Sequence, residues 1–76
     1  MPYIAIKSYP RDKESRDRLA EKIRQDVMEI CHLPASAVTI GYEEIRPEDW
    51  EETVVKAEIE PNMDKMLIVK GEKVAD

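Results

Sequence analysis

Cysteine and glycine are scarce in this sequence, and their scarcity removes several classes of site. The 76 residues include one cysteine, Cys31, and one histidine, His32. A single cysteine cannot form a disulfide within the chain, and these two side chains are too few for a structural metal site. The two glycines, Gly41 and Gly71, are isolated, which excludes a glycine-rich phosphate-binding loop. We therefore expect no structural metal and no phosphate-binding loop of this kind.

Long hydrophobic runs and basic clusters are also absent. The longest apolar run, residues 66–69, is far too short to span a membrane. The N-terminal residues lack the basic and apolar regions of a signal peptide. Lysine and arginine number 12 against 17 acidic residues, for a net charge of −5, and they form no basic stripe of the kind that binds nucleic acid. These features favour a cytoplasmic protein that binds neither membrane nor nucleic acid.

The small size of the chain bears on how it is stabilised. Hydrophobic residues make up 42% of the sequence, which predicts a folded domain, here a single one over residues 1–76. A domain of this size buries only about 60% of the surface that its unfolded chain exposes. With no disulfide or metal to reinforce the core, association with other copies remains as the source of extra stability. We expect a homo-oligomer, a dimer in preference to a hexamer.

Two segments alternate as strands do. Residues 3–9 place Ile4 and Ile6 on one face and polar or aromatic side chains on the other, until Pro10 ends the pattern. Residues 38–45 alternate in the same way. Both segments are therefore predicted to be β-strands.

Between them lies an amphipathic helix. Asp12 is a suitable N-cap, and the helix extends to Cys31 before Pro34 ends it. Its apolar stripe comprises Leu19, Ala20, Ile23, Val27, Ile30 and Cys31. A strand, a long helix and a strand with short links form a β-α-β unit whose strands are parallel. The predicted fold class is thus α/β, with the two-stranded sheet completed by oligomerisation.

The C-terminal part is less regular. Residues 46–50 predict a turn that opens a short helix, with Pro47 at an early helical position. Residues 53–55 suit either a strand or a helix, and the period of residues 62–70 is ambiguous. This part is expected to form a short helix and strand segment.

Cys31 and Pro2 are the candidates for chemistry outside any known motif. Cys31 and His32 point about 100° apart on a helix, so Cys31 is better interpreted as a buried structural cysteine than as a nucleophile. Removal of Met1 would leave Pro2 with a free secondary amine. Burial or a nearby cation would lower the pKa of that amine and make it a general base near neutral pH. Position alone favours an ordinary proline, because proline is common there.

Several segments together resemble the 4-oxalocrotonate tautomerase family, and most closely its bacterial phenylpyruvate tautomerase branch. The resemblance covers residues 2 to about 70. It rests on Pro2-Tyr3-Ile4-Ala5-Ile6-Lys7, Pro10-Arg11, Leu33-Pro34, Val38-Thr39-Ile40, Ile45-Arg46-Pro47-Glu48-Asp49-Trp50 and Ala57-Glu58-Ile59-Glu60-Pro61.

The resemblance implies a cofactor-independent isomerase that converts 2-hydroxydienoates or enolpyruvates, such as phenylenolpyruvate, into 2-oxo acids. Pro2 would be the acid–base catalyst, Arg11 would bind the substrate carboxylate, and Trp50 would form an apolar wall. Without the resemblance, Arg11 would be interpreted as solvated and Trp50 as core or interface. Thr39 stands where many members have a second arginine, and its hydroxyl supplies a hydrogen bond but no charge. This substitution favours monoacid over dicarboxylate substrates.

Two other functions fit the sequence. Members of the family also hydrate or dehalogenate unsaturated acids, and release of halide would identify such an activity. A ligand- or protein-binding module without catalysis is the second alternative, and Thr39 is the residue that favours it. Such a module would bind ligand without turnover that depends on Pro2.

Overall fold

A computed structural model describes residues 1–74. The chain divides into two compact units, the first comprising Met1–Arg46 and the second beginning at Pro47. Within residues 1–74, every helix is too short or too polar to cross a membrane.

The first unit is the predicted β-α-β unit. Strand β1 (Tyr3–Ser8) is followed by helix α1 (Lys13–Cys31) and strand β2 (Thr39–Glu44), with a single 3₁₀ turn at Ala35–Ala37 before β2. The strands are parallel, and their register runs from the pair Tyr3 and Thr39 to the pair Ser8 and Glu44. The prediction of two parallel strands joined by one long helix is therefore confirmed.

Helix α1 begins and ends as its sequence predicts. The Asp12 side chain caps the helix by accepting a hydrogen bond from the Ser15 N–H at 3.0 Å. At the other end His32 adopts a left-handed conformation with φ of 56°, and its N–H donates to the Met28 carbonyl. Pro34 follows in an extended conformation and directs the chain towards β2.

The burial of the apolar stripe on α1 departs from prediction. Ala20, Ile23 and Val27 are half-buried, but Ile30 is 75% exposed and Cys31 is also exposed. The expectation of a buried Cys31 is therefore wrong for the single chain. Helix α1 is about 28 Å long, whereas six-residue strands span about 20 Å, so a two-stranded sheet cannot cover the whole stripe.

The second unit is helical and then forms a hairpin. Helix α2 (Pro47–Trp50) continues into a wider, π-type helix over Glu51–Ile59, and a 3₁₀ segment follows over Glu60–Lys65. The segment left open between strand and helix is thus helical. Strands β3 (Ile68–Val69) and β4 (Glu72–Lys73) then pair antiparallel.

The turn of this hairpin favours a glycine at position 71. Lys70 and Gly71 both have positive φ, 51° and 82°, as a type I′ turn requires. Gly71 adopts such a conformation without steric cost, because it has no Cβ. The short helix and strand segment expected at this end of the chain is present.

The hydrophobic core is thin. Among residues 1–74, the buried hydrophobic residues are Ala37, Ile45 and Val54. Ala37 and Ile45 flank β2 in the first unit, and Val54 lies in the second. Side chains on the helix-facing side of the sheet, such as Ile4, Ile6 and Ile40, are only half-buried.

Candidate active site

The amino-terminal end of the sheet holds Pro2 next to Thr39. The Pro2 carbonyl accepts a hydrogen bond from the Thr39 N–H at 3.2 Å, and the following residue, Tyr3, is the register partner of Thr39. Pro2 is half-buried and Thr39 is exposed. Two of the four predicted site residues are therefore brought together, with Pro2 held by the first hydrogen bond of the parallel ladder.

On the face of the sheet that carries Thr39, Tyr3 is 71% exposed. A Cβ atom added to Gly41 would lie 3.8 Å from the Tyr3 hydroxyl, so the tyrosine ring leans along the sheet over Gly41. The missing side chain at Gly41 thus gives the Tyr3 ring room to lie along the sheet, away from the end that holds Pro2.

Arg11 lies at the opposite end of the sheet. Its backbone N–H donates a hydrogen bond of 2.9 Å to Oε2 of Glu44, the last residue of β2. Arg11 is exposed, and within residues 1–74 its guanidinium forms no ion pair or hydrogen bond. Its positive charge is therefore available to an anion.

The separation of Pro2 and Arg11 follows from the strand between them. Pro2 precedes β1 and Arg11 follows it, and five residue steps of about 3.3 Å separate the two ends of the strand by about 17 Å. An arginine side chain is much shorter than this distance. The two residues do not meet within one chain.

Trp50 belongs to the second unit. It is the last residue of α2, it is half-buried, and the buried Val54 follows one turn later. Its part in a site with Pro2 stays a prediction.

Two exposed carboxylates, Asp12 and Asp17, lie at the start of α1, and Asp12 interacts electrostatically with Arg11. Hydrogen bonds from the Ser15 side chain and backbone hold the pKa of Asp12 below its ordinary value. The hydrogen bond from Lys13 does the same for the pKa of Asp17. Asp12 therefore stays ionised beside Arg11 and also lies at the positive end of the α1 dipole.

No cluster within residues 1–74 offers three metal-ligating side chains. A shallow groove of about 340 Å³ lies between α1 and β2, where Arg24, Val38 and Ile40 line it. This groove includes none of Pro2, Arg11 and Thr39, so it does not supply an enclosed space around the proline.

Glu44 is the residue near Arg11 that sequence reasoning missed. Glu44 and Arg11 are 33 positions apart, and glutamates are numerous in this chain. The register of the two strands is the signal that could have predicted the contact between Glu44 and Arg11. Once Tyr3 is paired with Thr39, Glu44 falls beside Ser8, at the end of the sheet from which the chain continues to Arg11.

Comparison with known proteins identifies the relatives of this chain. No protein-family model matches it. Proteins named Tautomerase PptA match along nearly the whole length: the Cronobacter sakazakii protein is 31% identical, the Shigella sonnei protein 33% and the Escherichia coli O139:H28 protein 32%. Each match covers 93% of this chain and 96% of the relative. The chain belongs to the 4-oxalocrotonate tautomerase family, in its bacterial phenylpyruvate tautomerase branch, and is an isomerase.

Proposed function

We propose that this tautomerase converts enolpyruvate acids such as phenylenolpyruvate, or 2-hydroxydienoates, into 2-oxo acids, with Pro2 as the acid–base catalyst. The observation that carries the proposal is the hydrogen bond from the Thr39 N–H to the Pro2 carbonyl. It anchors the proline to a sheet while leaving the proline nitrogen outside the ladder. A base held on a rigid element can be kept within reach of a substrate proton.

The reaction is an internal proton transfer. The Pro2 amine removes the hydroxyl proton of the enol, the C–O bond becomes a carbonyl, and the electrons of the C=C bond take up a proton at carbon from the prolinium ion. The catalyst ends in its starting state, and no cofactor is needed. Met1 must first be removed, since an amide nitrogen has no basic lone pair. Met1 is 93% exposed, which leaves that peptide bond accessible.

Arg11 binds the substrate carboxylate, and it does so from another subunit. Within one chain, Arg11 and Pro2 are separated by the length of β1, about 17 Å. A guanidinium holds both oxygens of a carboxylate through two parallel hydrogen bonds. Because the Arg11 guanidinium is exposed and has no ion pair in residues 1–74, it is free to make them.

A homodimer would bring Arg11 of one chain to the end of the sheet that holds Pro2 of the other. A two-fold axis perpendicular to the sheet joins two sheets edge to edge and keeps both helices on one face. The joined strands are then antiparallel, so the carboxyl end of one sheet lies beside the amino end of the other. The partner's Arg11 comes to the end where Pro2 lies. Association would also cover apolar side chains left exposed by the thin core, such as Ile30.

Trp50 and Thr39 complete the proposed site. Trp50 packs against the apolar part of the substrate. The Thr39 hydroxyl donates one hydrogen bond to the developing enolate, without the charge of an arginine. In this proposal residues 1–76 act as a single domain in the cytoplasm. Residues 75 and 76 lie outside the described part.

The test is ketonisation of phenylenolpyruvate, followed by ultraviolet absorbance, on protein shown by mass to lack Met1. Pro2→Ala should lower kcat/KM by at least about 100-fold, the lower range for general acid–base catalysis. Tyr3→Phe is a neighbouring control and should keep the activity. Full activity in Pro2→Ala would refute the mechanism. Halide release or hydration in place of ketonisation would instead identify a different reaction at the same site.

A further inference from the structure

Glu44 contacts the backbone of Arg11 and not its charged guanidinium group. Its Oε2 accepts the backbone N–H of Arg11 at 2.9 Å, and within residues 1–74 the Arg11 guanidinium forms no ion pair. A carboxylate bound to the guanidinium would compete with a substrate carboxylate. Bound to the amide, it holds the same residue and leaves the guanidinium available.

The segment that carries Arg11 runs from the end of the ladder to the start of α1. The last hydrogen bond of the ladder joins the Ile45 N–H to the Ser8 carbonyl at 2.8 Å. Pro10 has no N–H to donate, so beyond Tyr9 the N–H of Arg11 is the next backbone donor. On the other side, Asp12 is fixed as the N-cap of α1. Glu44 thus secures the one residue between the proline and the helix cap.

We propose that Glu44 is a positioning residue for carboxylate recognition, because it holds the Arg11 backbone in its substrate-binding conformation. The proposal rests on the carboxylate-binding role given above to Arg11. Without the hydrogen bond, Arg11 has to be ordered when substrate binds, and this lost freedom weakens binding. Proton transfer by Pro2 is separate from this contact. The effect therefore falls on KM much more than on kcat.

Three substitutions at Glu44 distinguish the position of its acceptor oxygen from the charge of its side chain. Glu44→Gln keeps an oxygen at the same reach but removes the charge, and its KM for phenylenolpyruvate should stay within about twofold of the unsubstituted enzyme. Glu44→Asp keeps the charge but is one methylene too short, and Glu44→Ala removes the acceptor. Both should raise KM about fivefold to tenfold, the factor that corresponds to one such hydrogen bond. In all three variants kcat should stay within about twofold.

Glu43→Ala is the matched control. Glu43 is the neighbouring residue on β2, it is exposed, and its carboxylate lies 3.7 Å from Lys7 rather than at Arg11. The substitution removes the same charge from the same strand end, and KM should not change. The proposal is overturned if KM depends on the charge at position 44. Glu44→Gln and Glu44→Ala would then raise KM equally, and Glu44→Asp would leave it unchanged.

A double-substitution cycle separates this proposal from the proposed function. In an Arg11→Ala background, Glu44→Ala should raise KM no further, because the residue it positions is gone. If Arg11→Ala leaves KM unchanged, the carboxylate-binding role of Arg11 fails and the positioning role fails with it. If Arg11→Ala raises KM and Glu44→Ala in the unsubstituted background does not, only the positioning role of Glu44 is refuted. Should Glu44→Ala fail to fold, the contrast between Glu44→Asp and Glu44→Gln distinguishes the same outcomes.

Discussion

Pro2 and Arg11 lie at opposite ends of strand β1. Pro2 precedes the strand and is bonded to Thr39, whereas Arg11 follows it and is bonded to Glu44. With about 3.3 Å per residue, the strand holds them too far apart for one substrate to touch both in the same chain. A site that uses both residues therefore has to be built from two chains.

Mixing of two impaired variants should restore activity, assayed at a substrate concentration well below the KM of Arg11→Ala. Pro2→Ala removes the base, and Arg11→Ala weakens substrate binding, at every site of their own oligomers. When they are unfolded and refolded together, a site that takes Pro2 from one chain and Arg11 from its partner is intact in about a quarter of cases. We expect about a quarter of the unsubstituted activity, measured by ketonisation of phenylenolpyruvate.

Two controls accompany the mixing experiment. At that substrate concentration each variant refolded alone should have little activity, and so should the two variants mixed after separate refolding, if exchange of subunits is slow. Sedimentation at the assay concentration should show an oligomer. A monomer with full activity would contradict a site shared between chains.

An arginine at position 39 should shift substrate preference towards dicarboxylates. Thr39 is exposed and adjoins Pro2, so the longer side chain has space and lies near the catalyst. A charged hydrogen bond to a second carboxylate is stronger than one from a hydroxyl. For Thr39→Arg we expect the ratio of kcat/KM for a 2-hydroxydienoate dicarboxylate to that for phenylenolpyruvate to rise at least about tenfold. Thr39→Val is the control without charge, and an unchanged ratio in Thr39→Arg would refute the role of position 39.

Tyr42 and Ser8 should contribute jointly to stability. Their hydroxyl oxygens are 2.5 Å apart, and Ser8 Oγ donates to the Tyr9 carbonyl at 2.7 Å, so Tyr42 donates to Ser8. Tyr42→Phe should lower the free energy of unfolding by about 1 kcal/mol, measured by chemical denaturation at fixed protein concentration. In a cycle with Ser8→Ala the two losses should not add, whereas Tyr3→Phe should have no effect. Fully additive losses would show that the contact is not formed in solution.

Asp12 should make stability depend on pH in the acid range. Its pKa is lower in the folded chain than in the unfolded one, because Ser15 donates hydrogen bonds to its ionised form. The resulting stabilisation is complete above the unfolded pKa and is lost as the pH falls through the folded pKa. Asp12→Asn keeps a good cap without the titration. Its midpoint of thermal unfolding should therefore fall less than that of the unsubstituted protein between about pH 6 and about pH 3. Equal falls would rule out a contribution from Asp12, since Asp17 titrates in both proteins.

Local sequence patterns predicted most of the first unit. Alternation of apolar and polar residues identified both strands. In the structure, β1 is one residue shorter than predicted and β2 is two residues shorter. Asp12 and Pro34 defined the ends of α1, because capping and the steric effect of proline act within a few residues. The burial of Cys31 was predicted wrongly, since periodicity gives the face of a helix but not the width of the sheet beneath it.

The candidate site likewise depends partly on local sequence and partly on tertiary structure. The sequence by itself determined the strand that begins after Pro2, the helix that begins after Asp12 and, through family resemblance, the candidate site residues. Only the tertiary structure decided that Thr39 adjoins Pro2 and that Glu44 holds the Arg11 backbone. These relationships join residues more than 30 positions apart. They depend on the register of two parallel strands, which the crossover helix and its packing set and which no local pattern encodes.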